Sequence, residues 1–378
     1  MSGPIFEIDH PEELERALGS GVDLCGAVFQ SLDLRPFASA LTGRPLRGAA
    51  FLGCDMSSAL LDHAHREGAL IFPPFEGLPY NPYRNTLYDP EELYAGFVPG
   101  EPDTWTDSLD NRIYRRWRDS GGDTGADILE TLARRIHDHA ITDALHELID
   151  GRRVVAVMGG HSLGRDSGDY ATVARLGRSL ARLDRLTATG GGPGAMEAAH
   201  LGAFLASRPD EALDEALAML AVVPRFDSPG PWLDSAWRVR ETFAPGPDDR
   251  AGLGIPTWLY GHEPPNVFAS HIAKYFANSV REDGLLAIAT YGVVFTPGSA
   301  GTVQEIFQDV TQNHYGVTGA PSPMVFLGRR FWTDELPVGR LLTAVGGDRD
   351  WLDLVHFTDD VDEAVAILAD HTRPGDDP

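Results

Sequence analysis

The sequence predicts an α/β fold: a doubly wound, mostly parallel sheet of about seven strands over residues 151–378, preceded by an extension over residues 1–150. Three observations carry this expectation. From residue 152 onward, short apolar runs alternate with amphipathic helical patterns, the signature of βαβ units. The runs are continuously apolar rather than alternating, as suits a sheet covered on both faces. Glycine-rich segments follow three of the runs, and in such sheets ligands bind at the carboxyl ends of the strands.

The expected strands are Val154–Met158, Leu186–Thr189, Ala218–Val223, Ile255–Tyr260, Val293–Thr296, Met324–Leu327 and Leu354–Phe357. Between the first two, Val173, Leu176, Leu180 and Leu183 recur at helical spacing. Residues 126–149 carry Ile128, Leu129, Leu132, Ile136, Ile141, Leu145 and Ile149, which predict one or two amphipathic helices. Residues 266–283 predict a helix on which His271, Lys274, Asn278 and Arg281 form one polar stripe.

The extension reads differently. Leu24-Cys-Gly-Ala-Val-Phe29 followed by Asp33-Leu34 is echoed by Leu46-Arg-Gly-Ala-Ala-Phe51 followed by Asp55-Met56. Such a repeat resembles two coils of a pentapeptide-type β-helix, too few to stand alone. Next, Ile71–Tyr83 crowds prolines and aromatics, which forbids a regular helix or central strand and predicts an ordered loop packed on a surface.

Composition narrows the function. The 378 residues carry 31 Lys+Arg against 56 Asp+Glu, a formal charge of −25. An acidic chain lacks the basic stripe that neutralises nucleic-acid phosphates, so no nucleic acid is expected among its partners. Hydrophobic residues make up 43%, which excludes a disordered chain. Two cysteines, Cys25 and Cys54, give no disulfide framework, and no metal-ligand spacing occurs. The N-terminal segment has no apolar core of a signal peptide, and no apolar run approaches the roughly 18 residues of a membrane span. The expectation is a cytoplasmic protein without membrane contact. Lys274 is the single lysine, so a bound anion must be held by backbone N–H groups and a few placed cations.

Three loops are candidates for a phosphorylated ligand. The first is Gly159-Gly160-His161-Ser162, with Ser162 and Ser167 as hydroxyl donors. The second is Gly190-Gly191-Gly192-Pro193-Gly194-Ala195-Met196, where a helix begins near Pro193. The third runs Pro297-Gly298-Ser299-Ala300-Gly301-Thr302-Val303-Gln304-Glu305. Its N–H groups, the Ser299 and Thr302 hydroxyls and the helix dipole form a phosphate cradle, with the Glu305 carboxylate one turn in. Read locally, Glu305 is either a ribose-facing or catalytic carboxylate or a capping glutamate.

Taken together, the second and third loops resemble the paired signatures of the LOG (Lonely Guy) family, long labelled "lysine decarboxylase-like": G-G-G-x-x-G/A-M and P-G-G-x-G-T-x-x-E. His262-Glu263 and Asn266 resemble a segment of some larger members, and the likeness spans roughly residues 150–330. It implies a Rossmann-like fold, usually dimeric or a larger homo-oligomer. It also implies hydrolysis of nucleoside 5′-monophosphates to free base and ribose 5-phosphate, with no metal and no PLP. Plant-type members release cytokinins from ribotides; bacterial relatives act on ordinary monophosphates.

By the same resemblance Glu305 matches the catalytic glutamate. The catalytic arginine is either Arg281, one residue off the ungapped alignment, or is replaced by Lys274. Gly298, Ser299, Ala300, Gly301 and Thr302 hold the 5′-phosphate, with Gly191, Gly192, Gly194 and Met196 nearby. Ser299 stands where the family has its second loop glycine. Two other readings are a non-catalytic nucleotide-binding module, with residues 1–150 as output, and a PLP-dependent decarboxylase. The latter requires a Schiff-base lysine, and Lys274 is the single candidate.

Overall fold

The computed structural model describes residues 6–246, 249, 251–260, 263–316 and 319–373. The chain divides into two compact units: Met1–Leu87 with Thr124–Leu145, and Tyr88–Asp123 with His146–Pro378. The segment Tyr88–Asp123, which the sequence reading grouped with the extension, therefore belongs with the larger unit.

In the first unit four short parallel strands stack in chain order: β1 (Glu7–Ile8), β2 (Val28–Gln30), β3 (Ala50–Leu52) and β4 (Leu70–Phe72). Registers pair Glu7 with Val28, Val28 with Ala50 and Ala50 with Leu70. Helices α1 (Pro11–Ser20), α2 (Ala38–Thr42) and α3 (Ser58–Glu67) make the returns. The repeat seen in sequence is thus the middle of a four-coil solenoid with helical returns, rather than two coils of a pentapeptide β-helix. The repeated residues superpose along the stack. Leu24 and Leu46 are buried, and the rings of Phe29 and Phe51 lie 4.7 Å apart and 4° from parallel. The Pro/aromatic segment starts inside β4 and continues as an ordered loop. Tyr83 lies over Gly53, where a Cβ would meet its ring at 2.3 Å, and Ser31 Oγ donates to Tyr83 O at 2.5 Å.

The chain then passes through α4 (Pro90–Leu93), α5 (Leu109–Asp119), α6 (Gly122–Gly125) and the 22-residue α7 (Ile128–Ile149). The larger unit holds the strands β5 (Arg153–Met158), β6 (Arg185–Thr189), β7 (Gly252–Gly254), β8 (His271–Ile272), β9 (Val293–Phe295), β10 (Met324–Leu327) and β11 (Val355–Thr358). Every neighbouring pair is parallel, in the order β11-β10-β9-β5-β6-β7-β8. This is the α/β, doubly wound, Rossmann-like arrangement that the sequence predicts. The winding reverses between β5 and β9, so a crevice opens beyond their carboxyl ends.

The helices are α8 (Gly168–Arg182), α9 (Ala195–Phe204), α10 (Asp210–Leu220), α11 (Pro229–Thr242), α12 (Asn278–Ala287), α13 (Ala300–Tyr315), α14 (Gly339–Gly346) and α15 (Val361–Asp370). Helices α8 and α9 pack backbone to backbone. A Cβ at Gly202 would lie 1.8 Å from Ala174 O, and one at Gly177 would lie 2.0 Å from Ala199 O. Ser167 caps α8 by accepting from Tyr170 N.

Three sequence expectations fail here. Ala218–Val223 is no strand: Leu220 ends α10, whose inner face buries Leu213, Ala216 and Leu220, while Val222 is exposed. The strand near Ile255–Tyr260 is Gly252–Gly254, and the residues after it form the loop beyond its carboxyl end. The helix over residues 266–283 is instead the edge strand β8 followed, from Asn278, by α12. Ile272, Ala273, Tyr275 and Phe276 are all buried, so their apolar run reflects the covered end of β8 and the buried segment that leads from it into α12.

Candidate active site

A cleft of about 290 Å³ opens beyond the carboxyl ends of β5, β6, β7 and β9. Most of its lining comes from loops that follow strands and from the helix starts they lead into. Gly159, Gly160 and His161 come from β5, Gly190, Gly192 and Met196 from β6, Pro256, Thr257 and Tyr260 from β7, and Ser299, Gly301, Thr302, Gln304 and Glu305 from β9 and α13. Arg281 and Glu282 enter from α12, and Glu263 closes the remaining side.

The three glycine loops play different parts. In the first, Gly160 N donates to Pro297 O at 3.1 Å, which ties it to the third loop. Gly159 lies so close to Thr296 that a Cβ would meet Oγ1 at 1.9 Å. In the second, Gly191 N donates to Thr189 Oγ1, and Ala195 N, the first donor of α9, donates to Gly160 O. Asn266 sits buried beneath this loop. Its Nδ2 donates to the carbonyls of Gly191 and Gly192 at 3.0 and 3.1 Å, and its own N–H donates to Gly191 O. His200, buried and pushed down to about 4 by loss of hydration, stays neutral against Asn266 and Leu253 O. These two loops are therefore braced walls.

The third loop is the candidate anion cradle. The first bond of the α13 start runs from Val303 N to Ser299 O, so the N–H groups before Val303 belong to the unsatisfied first turn. With the helix dipole they favour negative charge at Ser299, Gly301 and Thr302. Thr302 Oγ1 folds back onto Gly298, where a Cβ would lie 2.1 Å away. Ser299 adopts φ −117°, an extended value open to any residue, so serine here causes no backbone strain.

Two charged groups converge on the cradle. Glu305 is half-buried one turn into α13. Loss of hydration pushes its carboxyl up to about 7; Arg281 pulls it down and Glu282 pushes it further up. Arg281 is fixed by Nε donating to Ile255 O at 2.8 Å. Its guanidinium lies against Gly190, where a Cβ would sit 2.3 Å from Nη2. Glu282 is held by two amides: Asn278 Nδ2 donates to Oε1 at 2.7 Å and Gln304 Nε2 to Oε2 at 3.1 Å. The arrangement offers N–H groups for a phosphate, one cation, and a carboxylate suited to an electron-poor centre.

Of the residues expected from sequence, the cleft brings together Gly159, Gly160, Gly190, Gly192, Met196, Arg281, Ser299, Gly301, Thr302 and Glu305. Gly191, Gly194, Gly298 and Ala300 support the loops without lining it. Gly194, at φ +72°, lets α9 start against Gly160 O. Ser162 is exposed outside the lining, and Ser167 is a helix cap.

Lys274 is not a site residue. It is fully buried, its Nζ donates to Asp110 Oδ1 at 2.6 Å, and Trp258 Nε1 donates to the same oxygen. Burial lowers its affinity for the proton while Asp110 opposes that. Of the two candidate cations, Arg281 lines the cleft and Lys274 does not. His262 lies outside the described residues. Sequence reasoning missed Pro256, Thr257, Tyr260 and Gln304, whose positions depend on where β7 ends and α13 turns. Glu282 carried a signal, since it occupies the ungapped alignment position.

No protein-family model matches the chain, and no curated protein matches it. Comparison with solved structures finds it similar to the molybdenum cofactor carrier protein MCP from Chlamydomonas reinhardtii, at 17% identity, over 57% of this chain and 94% of that one, with a TM-score of 0.35.

Proposed function

We propose that the chain is a nucleoside 5′-monophosphate phosphoribohydrolase. The observation that carries this is the convergence of Glu305 and Arg281 on the open N-terminus of α13, at the crevice where the sheet reverses its winding. The 5′-phosphate takes the N–H groups at Ser299–Thr302, which places the ribose toward Glu305. The N-glycosidic bond breaks through a sugar with oxocarbenium character, which an adjacent carboxylate stabilises. A water oriented by Glu305 adds to C1′, the bond's electron pair leaves with the base nitrogen, and the water's proton ends on the base. Arg281 fixes the phosphoribosyl group and moderates the proton affinity of Glu305.

The test is incubation with AMP, GMP, CMP, UMP and a cytokinin ribotide, followed by chromatography for free base. Release that Glu305→Gln reduces at least a hundredfold supports the reading, whereas no release from any substrate refutes it. The unstrained backbone at Ser299 supports an active enzyme rather than a purely nucleotide-binding module. A homodimer or larger homo-oligomer belongs to the same proposal and is measured by sedimentation.

A further inference from the structure

A second charged site lies at the opposite ends of the same strands. Arg153 begins β5 and Arg185 begins β6, while Arg373 follows α15. All three guanidiniums face one buried ring, that of Tyr291, with their carbons 5.9, 5.3 and 5.9 Å from its centroid. Arg185 is itself buried, at 4% exposure. Beside this cluster is a cavity of about 640 Å³ whose walls include Arg152, Arg153, Arg373, Thr290 and Tyr291, with Asp150 the one carboxylate among the described residues that line it.

Like charges gathered on one ring repel one another, and the chain as a whole carries −25. Stacking uses the face of a guanidinium, whereas oxyanions bind its N–H edge, so an arginine held on an aromatic ring can also take a phosphate. The cavity is larger than the catalytic cleft and falls within the range of small-molecule sites.

We propose that this arginine–tyrosine cavity binds a diphosphate group, distinct from the monophosphate cradle at α13. Two adjoining phosphates match the cations that line the cavity from two separate points of the chain: Arg152 and Arg153 at the β5 start, and Arg373 after α15. A single phosphate would engage only part of the set.

The test is calorimetric titration with inorganic pyrophosphate at low salt, done in the Arg281→Gln background so that the catalytic cleft contributes little. Arg152 and Arg153 are exposed, so the Arg152→Gln/Arg153→Gln double variant is expected to fold, and circular dichroism checks it. The expected result is saturable pyrophosphate binding, at least tenfold weaker in the double variant and at least tenfold weaker for inorganic phosphate. ADP is the second arm. Tighter binding of ADP than of pyrophosphate assigns the site to a nucleotide-borne diphosphate, and equal binding assigns it to the diphosphate group alone. Absence of binding, equal binding of phosphate, or binding indifferent to the double variant overturns the proposal. Because base release is not the readout, loss of the phosphoribohydrolase reading would leave this result standing.

Discussion

If Glu305 works as a carboxylate, the pH dependence of the reaction follows from its surroundings. Its proton affinity corresponds to about 7 rather than 4.5, chiefly through lost hydration. At pH 6 about one tenth of the molecules carry the ionised form, and at pH 8 about nine tenths. The kcat/KM for base release should therefore fall about tenfold between pH 8 and pH 6, whereas an ordinary glutamate would leave it flat over that range. Two neighbours let the assignment be tested. Glu282 raises the proton affinity of Glu305, so Glu282→Gln should move the acid limb to lower pH. Arg281 lowers it, so Arg281→Met should move the limb to higher pH while also weakening phosphate binding. The assay is the initial rate of base release from pH 5 to 9 at constant ionic strength, paired with carboxyl-carbon NMR of wild type and Glu305→Gln. A flat profile from pH 6 to 8, or a Glu282→Gln limb displaced upward, would refute the reasoning.

Other expectations concern stability. Asp309 is buried, has no hydrogen-bond partner at Oδ2 among the described residues, and is pushed up to about 8 by lost hydration. The native state then binds more protons than the unfolded chain between about pH 4 and 8, so this group's contribution declines as pH rises through that window. Asp309→Asn should remove that decline, which amounts to about 4 kcal/mol between pH 5 and pH 8.5 in denaturant melts. Lys274→Met leaves the Asp110 carboxylate buried without its cation and should cost about 3–5 kcal/mol, much of it recovered by adding Asp110→Asn. Gly202→Ala drives a methyl into the Ala174 carbonyl and should cost at least about 3 kcal/mol, seen as a fall in Tm. The nearest atoms that Gly298→Ala meets are those of the Thr302 side chain, so it should preserve Tm to within a few degrees but raise KM about tenfold or more by displacing the cradle hydroxyl.

How far the sequence alone reached can be judged residue by residue. The apolar runs at β5, β6, β9, β10 and β11 were legible because each is bounded by a turn and followed by a helix or glycine loop. Ala218–Val223 was misleading because an apolar run of this length fits a helix end as well as a buried strand. Residues 266–283 failed in the opposite sense, since Ile272, Tyr275 and Phe276 fall at helical intervals by coincidence in a short strand and the buried segment after it. Lys274 was misplaced with them. Its partner Asp110 stands 164 positions earlier, and no local pattern announces such a pair. Glu305 and the cradle were readable because a helix start carries its chemistry within a few consecutive residues. Arg281 came to the cleft through its bond to Ile255 O, a contact between α12 and the loop after β7, 26 positions earlier in the chain.

The bracing of the second glycine loop by Asn266 bears on how a ligand is received. Three consecutive glycines are the part of a chain with the most conformational freedom to lose. Here Asn266 removes that freedom at Gly191 and Gly192 when the chain folds, before any ligand arrives. Association then orders little backbone, and the affinity of the cleft is set mainly by the contacts themselves. Releasing the loop with Asn266→Ala would transfer the ordering cost from folding to binding. The unfavourable entropy of ligand association would grow even though no residue touching the ligand had changed.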